Sequence, residues 1–191
     1  MSYFAGLVLK ILGWSFEGEV PSEKKYVLIA APHTSNWDFV LMVLYRYLLR
    51  MKVNWMGKDS LFRPPLGFFF RAFRGIPIDR SSRNQVVSNV AAEYAKRENL
   101  ILIITPEGTR GKTKLWKSGF YHIAREAGVP IALAYVDAPR KVVGIHKRLL
   151  MPSGDMEADL DVIRSVYQGK VGIRAENAGE IRFSDTSARK S

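Results

Sequence analysis

Only three histidines and no cysteine occur in the chain, so few side chains can move a proton near neutral pH. His33 stands five residues before a carboxylate in the run His33-Thr34-Ser35-Asn36-Trp37-Asp38. Five steps along a helix rotate about 140° past a full turn, so the two cannot share one helical face. With His33 in a turn and Asp38 in the first turn of a following helix, the chain can fold them together. A plainer reading stands beside this one. Ser35 and Asp38 have the spacing of a capping box, Asp38 suits the positive end of a helix, and His33 after Pro32 can be an ordinary loop residue.

The flanking sequence decides where this run sits. Tyr26-Val27-Leu28-Ile29-Ala30-Ala31 is a compact apolar run, and a longer one extends from Phe39 to Met51. Together they read as strand, short turn and helix over about 36–51. Further along, spacing predicts a short strand over 53–56, an extended segment ending at Arg80, a helix over 83–98 and a buried strand over 100–105. A helix over 117–127 stopped by Gly128, strands over 130–136 and 142–151, and a helix over 155–168 complete the pattern. The tail after Phe183 is polar and reads as disordered. Strands alternating with helices predict an α/β fold: a single domain over 18–183, its mostly parallel sheet flanked by helices.

In such sheets ligands bind beyond the carboxyl ends of the strands. His33 falls there, and so does Pro106-Glu107-Gly108-Thr109-Arg110-Gly111, directly after the strand ending at Thr105. Arg110 is a candidate anion clamp, because a guanidinium grips phosphate through two parallel bonds and glycine neighbours let a backbone approach closely. Glu107 either holds Arg110 in place or forms a surface pair of little worth. Lys58 and Arg80 add positive charge to the same crevice.

Several chemistries drop out. Without cysteine there is no thiolate nucleophile, disulfide or thiolate zinc site. His33, His122 and His146 lack the spacing of a HExxH pair, and no metal is expected. Gly111-Lys112-Thr113 imitates the end of a P-loop, but Pro106 occupies the position where that loop needs glycine. No G-x-G-x-x-G follows a strand and no serine occupies a G-x-S-x-G elbow. Direct attack by a substrate hydroxyl that His33 deprotonates is the option left.

At 191 residues and 47% hydrophobic, the chain can bury a sizeable core, and its net charge of +11 points to an anionic partner. Residues 1–17 read as an apolar N-terminal helix, too short to span a bilayer and a poor signal peptide. Two readings stay open: a helix lying in a membrane interface, or a buried first helix. Between Arg50 and Arg83 eight basic residues meet two acidic ones, interleaved with the aromatics of 61–74. That mixture suits a membrane surface or single-stranded nucleic acid if exposed, and is a core with a solvated face if not.

Four blocks, in this order, resemble those of the glycerolipid acyltransferases that include 1-acyl-glycerol-3-phosphate acyltransferase. His33 to Asp38 matches H-x-x-x-x-D, and Glu107-Gly108-Thr109-Arg110 matches E-G-T-R. Gly75-Ile76-Pro77-Ile78-Asp79-Arg80 resembles an intermediate block ending in Arg, and Val129-Pro130-Ile131 a V-P-[IV] block. The resemblance implies acyl transfer from acyl-CoA or acyl carrier protein to a lysophospholipid hydroxyl, with no other cofactor. It makes His33 the general base and Asp38 its orienting partner. Arg110, Lys58 and Arg80 would hold the acceptor phosphate, Gly108 and Thr109 would shape the site, and Glu107 would support Arg110. It also implies a peripheral or monotopic place on the cytoplasmic face of a membrane, with nucleic acid not expected as a partner. The competing readings are a non-enzymatic binder of anionic lipid or nucleic acid, and a lipid thioesterase.

Overall fold

The computed structural model describes residues 2–79 and 83–184. Helix α1 (Ser2–Ile11) leads to strand β1 (Ser15–Gly18), and β2 (Lys25–Ala31) follows. Then come α2 (Asn36–Leu48), β3 (Val53–Lys58), a 3-10 turn (Asp59–Phe62), α3 (Gly67–Ala72) and β4 (Gly75–Ile78). Helix α4 (Arg83–Lys96), β5 (Leu100–Ile104), the two-residue β6 (Leu115–Trp116), α5 (Gly119–Ala127) and β7 (Ile131–Asp137) form the middle. The chain closes with β8 (Val142–Ile145), α6 (Met156–Tyr167) and β9 (Glu180–Phe183).

Seven strands form one sheet in the order β1-β8-β7-β2-β5-β3-β4, and β6 pairs with β9 separately. β7, β2, β5, β3 and β4 all run parallel, while β8 is antiparallel to β7. The loops after β2, β5, β3 and β4 therefore emerge at one end of the sheet. In β2 the period-two alternation of side chains splits the apolar run between two layers. Val27, Ile29 and Ala31 pack with Val90 and Tyr94 of α4, Phe120 and Ile123 of α5, and Leu160 and Ile163 of α6. Tyr26 and Leu28 face the other way, with Ala132, Ala134, Met51 and Val53. A continuous apolar run is what a strand covered on both faces needs, and each fully buried aliphatic side chain contributes about 1.5–3 kcal/mol.

The sheet and its flanking helices match the sequence expectation, with local differences. The N-terminal apolar stretch is not one helix: α1 stops at Ile11, and Ser15–Gly18 becomes an edge strand beside β8. α1 buries Ala5 and Leu9, the latter against Leu41 and Tyr45 of α2, and leaves Tyr3, Phe4, Leu7 and Ile11 exposed. One face of this helix is thus buried in the fold and the other is exposed. The stretch 61–74 is divided too. Phe62 is buried beside Trp55 and Phe70, whereas Phe68, Phe69 and Phe73 are exposed. The strand expected over 142–151 ends at Ile145, because the chain turns at His146 before Leu150 bridges to Ile131. The tail expected to be disordered lies, but for Ser184, outside the described residues.

Candidate active site

Ser35 ends the turn after β2 by capping α2. Its hydroxyl accepts from Trp37 N at 3.2 Å, in a capping box completed by Asp38. Asp38 Oδ2 accepts from the backbone N–H groups of Thr34 (2.6 Å) and Ser35 (2.7 Å), and lies 3.5 Å from His33 Nδ1. The capping reading of this run therefore holds, and the same turn brings the two side chains together. One carboxylate closes the turn and faces the imidazole. Asp38 is 4% exposed and His33 20%, so the ring reaches solvent over a sheltered carboxylate.

Glu107 does not support Arg110. It is buried, and its Oε1 accepts from the backbone N–H of His33 at 3.0 Å. Arg110, three positions further along the chain, lies exposed with Gly108 and Thr109. Burial pushes the Glu107 carboxyl above its ordinary range, opposed by hydrogen bonds from its own and His33's backbone. His33 is thus flanked by two buried carboxylates. One oxygen of each, Asp38 Oδ1 and Glu107 Oε2, has no hydrogen-bond partner among the described residues.

Gly108 carries a φ of +68°, and a Cβ there would meet Lys117 Nζ at 2.6 Å. Glycine lets the loop turn and lets Lys117 lie over it. Lys117 N donates to Pro106 O at 2.8 Å, which fixes the start of that side chain. Thr109 Oγ1 accepts from Gly111 N at 3.2 Å and so shapes the loop from within. Lys58, the exposed last residue of β3, stands at the same end of the sheet as His33 and Arg110. Arg80 lies outside the described residues.

The segment after α6 carried no sequence signal, yet it clasps both loops. Asn177 Nδ2 donates to Thr34 O at 3.1 Å and to Arg110 O at 3.2 Å. Arg174 N donates to Thr34 Oγ1 at 3.1 Å. Gly172 allows this approach, since a Cβ would sit 2.5 Å from Thr34 Oγ1.

Beneath His33 a narrow apolar cavity of about 90 Å³ runs between α2 and the sheet. Leu41 and Tyr45 of α2, with Leu49 just past its end, line one wall, and Leu28, Ala30 and Ala134 of the sheet line the other. His33, Asp38 and Thr105 border its upper end, while Met51 and Val53 lie at the far end. A base at the mouth of an apolar slot, with cations on the neighbouring loops, suits an apolar chain ending in an electrophile and an anionic partner bearing a hydroxyl.

The profile of the acyltransferase family matches residues 15–136. A 1-acyl-sn-glycerol-3-phosphate acyltransferase of Haemophilus influenzae is 29% identical over 152 residues, 74% of this chain and 62% of that protein. One from Limnanthes alba is 34% identical over 148 residues, 74% of this chain and 50% of its own length. The chain thus spans half to about three-fifths of the length of these relatives. In three dimensions it resembles the crystal structure of the 1-acyl-sn-glycerophosphate acyltransferase PlsC from Thermotoga maritima. The TM-score is 0.61 at 16% identity, covering 87% of this chain and 76% of that one, a likeness of fold. With a family match across most of its length and the His33–Asp38 turn at the end of its sheet, the chain belongs to the acyltransferase family.

Proposed function

We propose that the protein transfers a fatty acyl group from a thioester, acyl-CoA or acyl carrier protein, to the hydroxyl of a lysophospholipid. The acceptor that fits best is 1-acyl-glycerol-3-phosphate, which would give phosphatidic acid. The observation that carries this reading is the position of His33: 3.5 Å from Asp38 and bordering the upper end of the apolar cavity. Support comes also from the relatives' names.

In the proposed reaction the acyl chain lies in the cavity, with its thioester carbon beside His33. Asp38 faces Nδ1 and orients the ring, leaving Nε2 to take the proton of the acceptor hydroxyl. The oxygen attacks the thioester carbon, the C–S bond breaks, and the imidazolium returns its proton to the departing thiolate. No cofactor beyond the thioester is involved. Arg110 and Lys58, with Arg80, hold the acceptor phosphate, and Lys117 adds a cation that the motifs do not mark. Gly108 and Thr109 shape that loop. Glu107 acts as a positioning residue on the backbone of His33, and Asn177 as one between the two loops.

Both substrates are amphiphiles, so the enzyme works at a membrane surface in this reading, on the cytoplasmic side where acyl thioesters are made. No helix among the described residues is long and apolar enough to cross a membrane. The exposed face of α1 and the phenylalanines of α3, mixed with Arg63 and Arg71, suit a bilayer interface.

The test is thiol release from a long-chain acyl thioester, with and without lysophosphatidic acid, for wild type, His33→Ala and Arg110→Ala. Acceptor-dependent release is expected, cut about 10²–10⁴-fold by His33→Ala and weakened through acceptor KM by Arg110→Ala. Equal release without acceptor would make the protein a thioesterase. No release with any donor would leave a lipid-binding protein.

A further inference from the structure

At the end of the sheet away from His33, a cleft of about 410 Å³ gathers Arg46, Arg50, Lys52 and Arg74, with Ser2 and Tyr47. Lys52 immediately precedes β3 and Arg74 immediately precedes β4, so this cleft lies at the amino ends of strands whose carboxyl ends carry the site. None of its lining residues is acidic. Among the described residues, none of the four cations forms an ion pair. Elsewhere arginines find carboxylates: Arg97 with Glu93, Arg140 with Glu17, Arg164 with Glu157 and Asp161. Four converging positive charges without a counter-ion repel one another, and an anion between them relieves that repulsion.

Two of the four also sit where the backbone disfavours them. Arg50 and Arg74 follow the ends of α2 and α3 with φ of 54° and 63°. Glycine is the residue that adopts this conformation without steric cost. The helix end at Arg50 favours positive charge, but Arg46 one turn earlier already meets that need. Neither helix end requires an arginine in the left-handed region.

The surroundings identify the kind of anion. Ser2 lines the cleft and continues into the exposed Tyr3 and Phe4, while Arg74 follows the exposed Phe73. A cationic hollow edged by exposed aromatics matches the phosphate of a lipid headgroup, whose chains would continue along the apolar surface. We propose that this cleft binds the phosphate of an anionic phospholipid in the bilayer, as a docking site separate from the one that receives the acceptor. The proposal rests on the reading that the enzyme works at a membrane, but not on its acyl transfer.

Vesicle co-sedimentation of the full chain tests it, comparing vesicles of phosphatidylglycerol in phosphatidylcholine with phosphatidylcholine alone. The variant is Arg50→Gly with Arg74→Gly, which removes two cations and relaxes both backbones, so its Tm should equal or exceed that of wild type. Its affinity for the anionic vesicles should fall at least tenfold, with binding to phosphatidylcholine and thiol release from detergent-dispersed substrates unchanged. A comparison variant, Arg125→Gly with Arg182→Gly, carries the same loss of charge on other elements and should lose less than threefold. Wild-type binding by the first variant, or an equal loss in both, would overturn the proposal. So would saturable binding of inorganic phosphate at the cleft that displaces no vesicle, which would mark a site for a free anion.

Discussion

Thr34 and Arg110, on different loops, are joined through a single amide: Asn177 Nδ2 donates to both carbonyl oxygens, at 3.1 and 3.2 Å. A buried or half-buried hydrogen bond contributes about 0.5–1.5 kcal/mol net, so removing the pair should cost little stability and more geometry. Asn177→Ala is expected to lower kcat/KM about tenfold, mainly through the acceptor KM, with Tm down by only a few degrees. Asn177→Asp should be worse, because a carboxylate then faces two carbonyls. Steady-state kinetics varying the acceptor, alongside thermal unfolding, checks both.

Asp38 has two tasks that substitution can separate. Asp38→Asn keeps an oxygen for the Thr34 and Ser35 N–H groups but loses the charge facing His33. It should fold normally and lose kcat. His33→Ala should lose about 10²–10⁴-fold, the usual range for a general base. Asp38→Ala also takes the acceptor away from the Thr34 and Ser35 N–H groups, while Ser35 still caps α2, and should cost about 1–3 kcal/mol of stability. Denaturant unfolding paired with kcat separates the three.

Glu107 makes stability depend on pH in a direction opposite to most acidic residues. Its folded carboxyl holds a proton more tightly than in the unfolded chain, because burial penalises the charge. The folded state therefore binds more protons. The contribution of Glu107 is fully present below the ordinary glutamate value of about 4.3 and declines as pH rises through the raised folded value. Glu107→Gln should be relatively more stable at pH 8 than at pH 4, compared with wild type. Unfolding measured across that range would show a pH-independent difference if the carboxylate were not penalised.

The cavity makes a prediction about chain length. Ala134 lines it from the sheet opposite α2. Ala134→Leu should fill part of the slot and shift the preferred donor toward shorter acyl chains without loss of kcat for those. Competition between thioesters of different length measures the shift.

Much of this site could be read from the chain because its parts rest on local rules. The apolar run 26–31, the capping box at Ser35 and the glycine turn at Gly108 each encode their own geometry. The strand Ser15–Gly18 was hidden because Phe16 is its only large apolar residue, and the pairing with β8 comes from far along the chain. Six-residue α3 has too few turns for a periodic pattern. Asn177 and Lys117 escaped for another reason. They act on backbone, and a carbonyl or a glycine elsewhere leaves no side-chain type for a sequence pattern to match. Glu107 was assigned to the wrong partner because nearness in sequence favoured Arg110, while the fold turned its side chain toward His33.

Helix α2 roofs the cavity with Leu41 and Tyr45 and carries Asp38 in its first turn. A helix is a stiff rod, so its two ends do not move independently. In the proposed reaction, an acyl chain that fits beneath it would leave the carboxylate seated against His33. One too long would lift the far end of the rod and lever Asp38 out of line. Chain selection and proton transfer would then share one moving part, and an ill-fitting donor would be rejected at the chemical step as well as at binding.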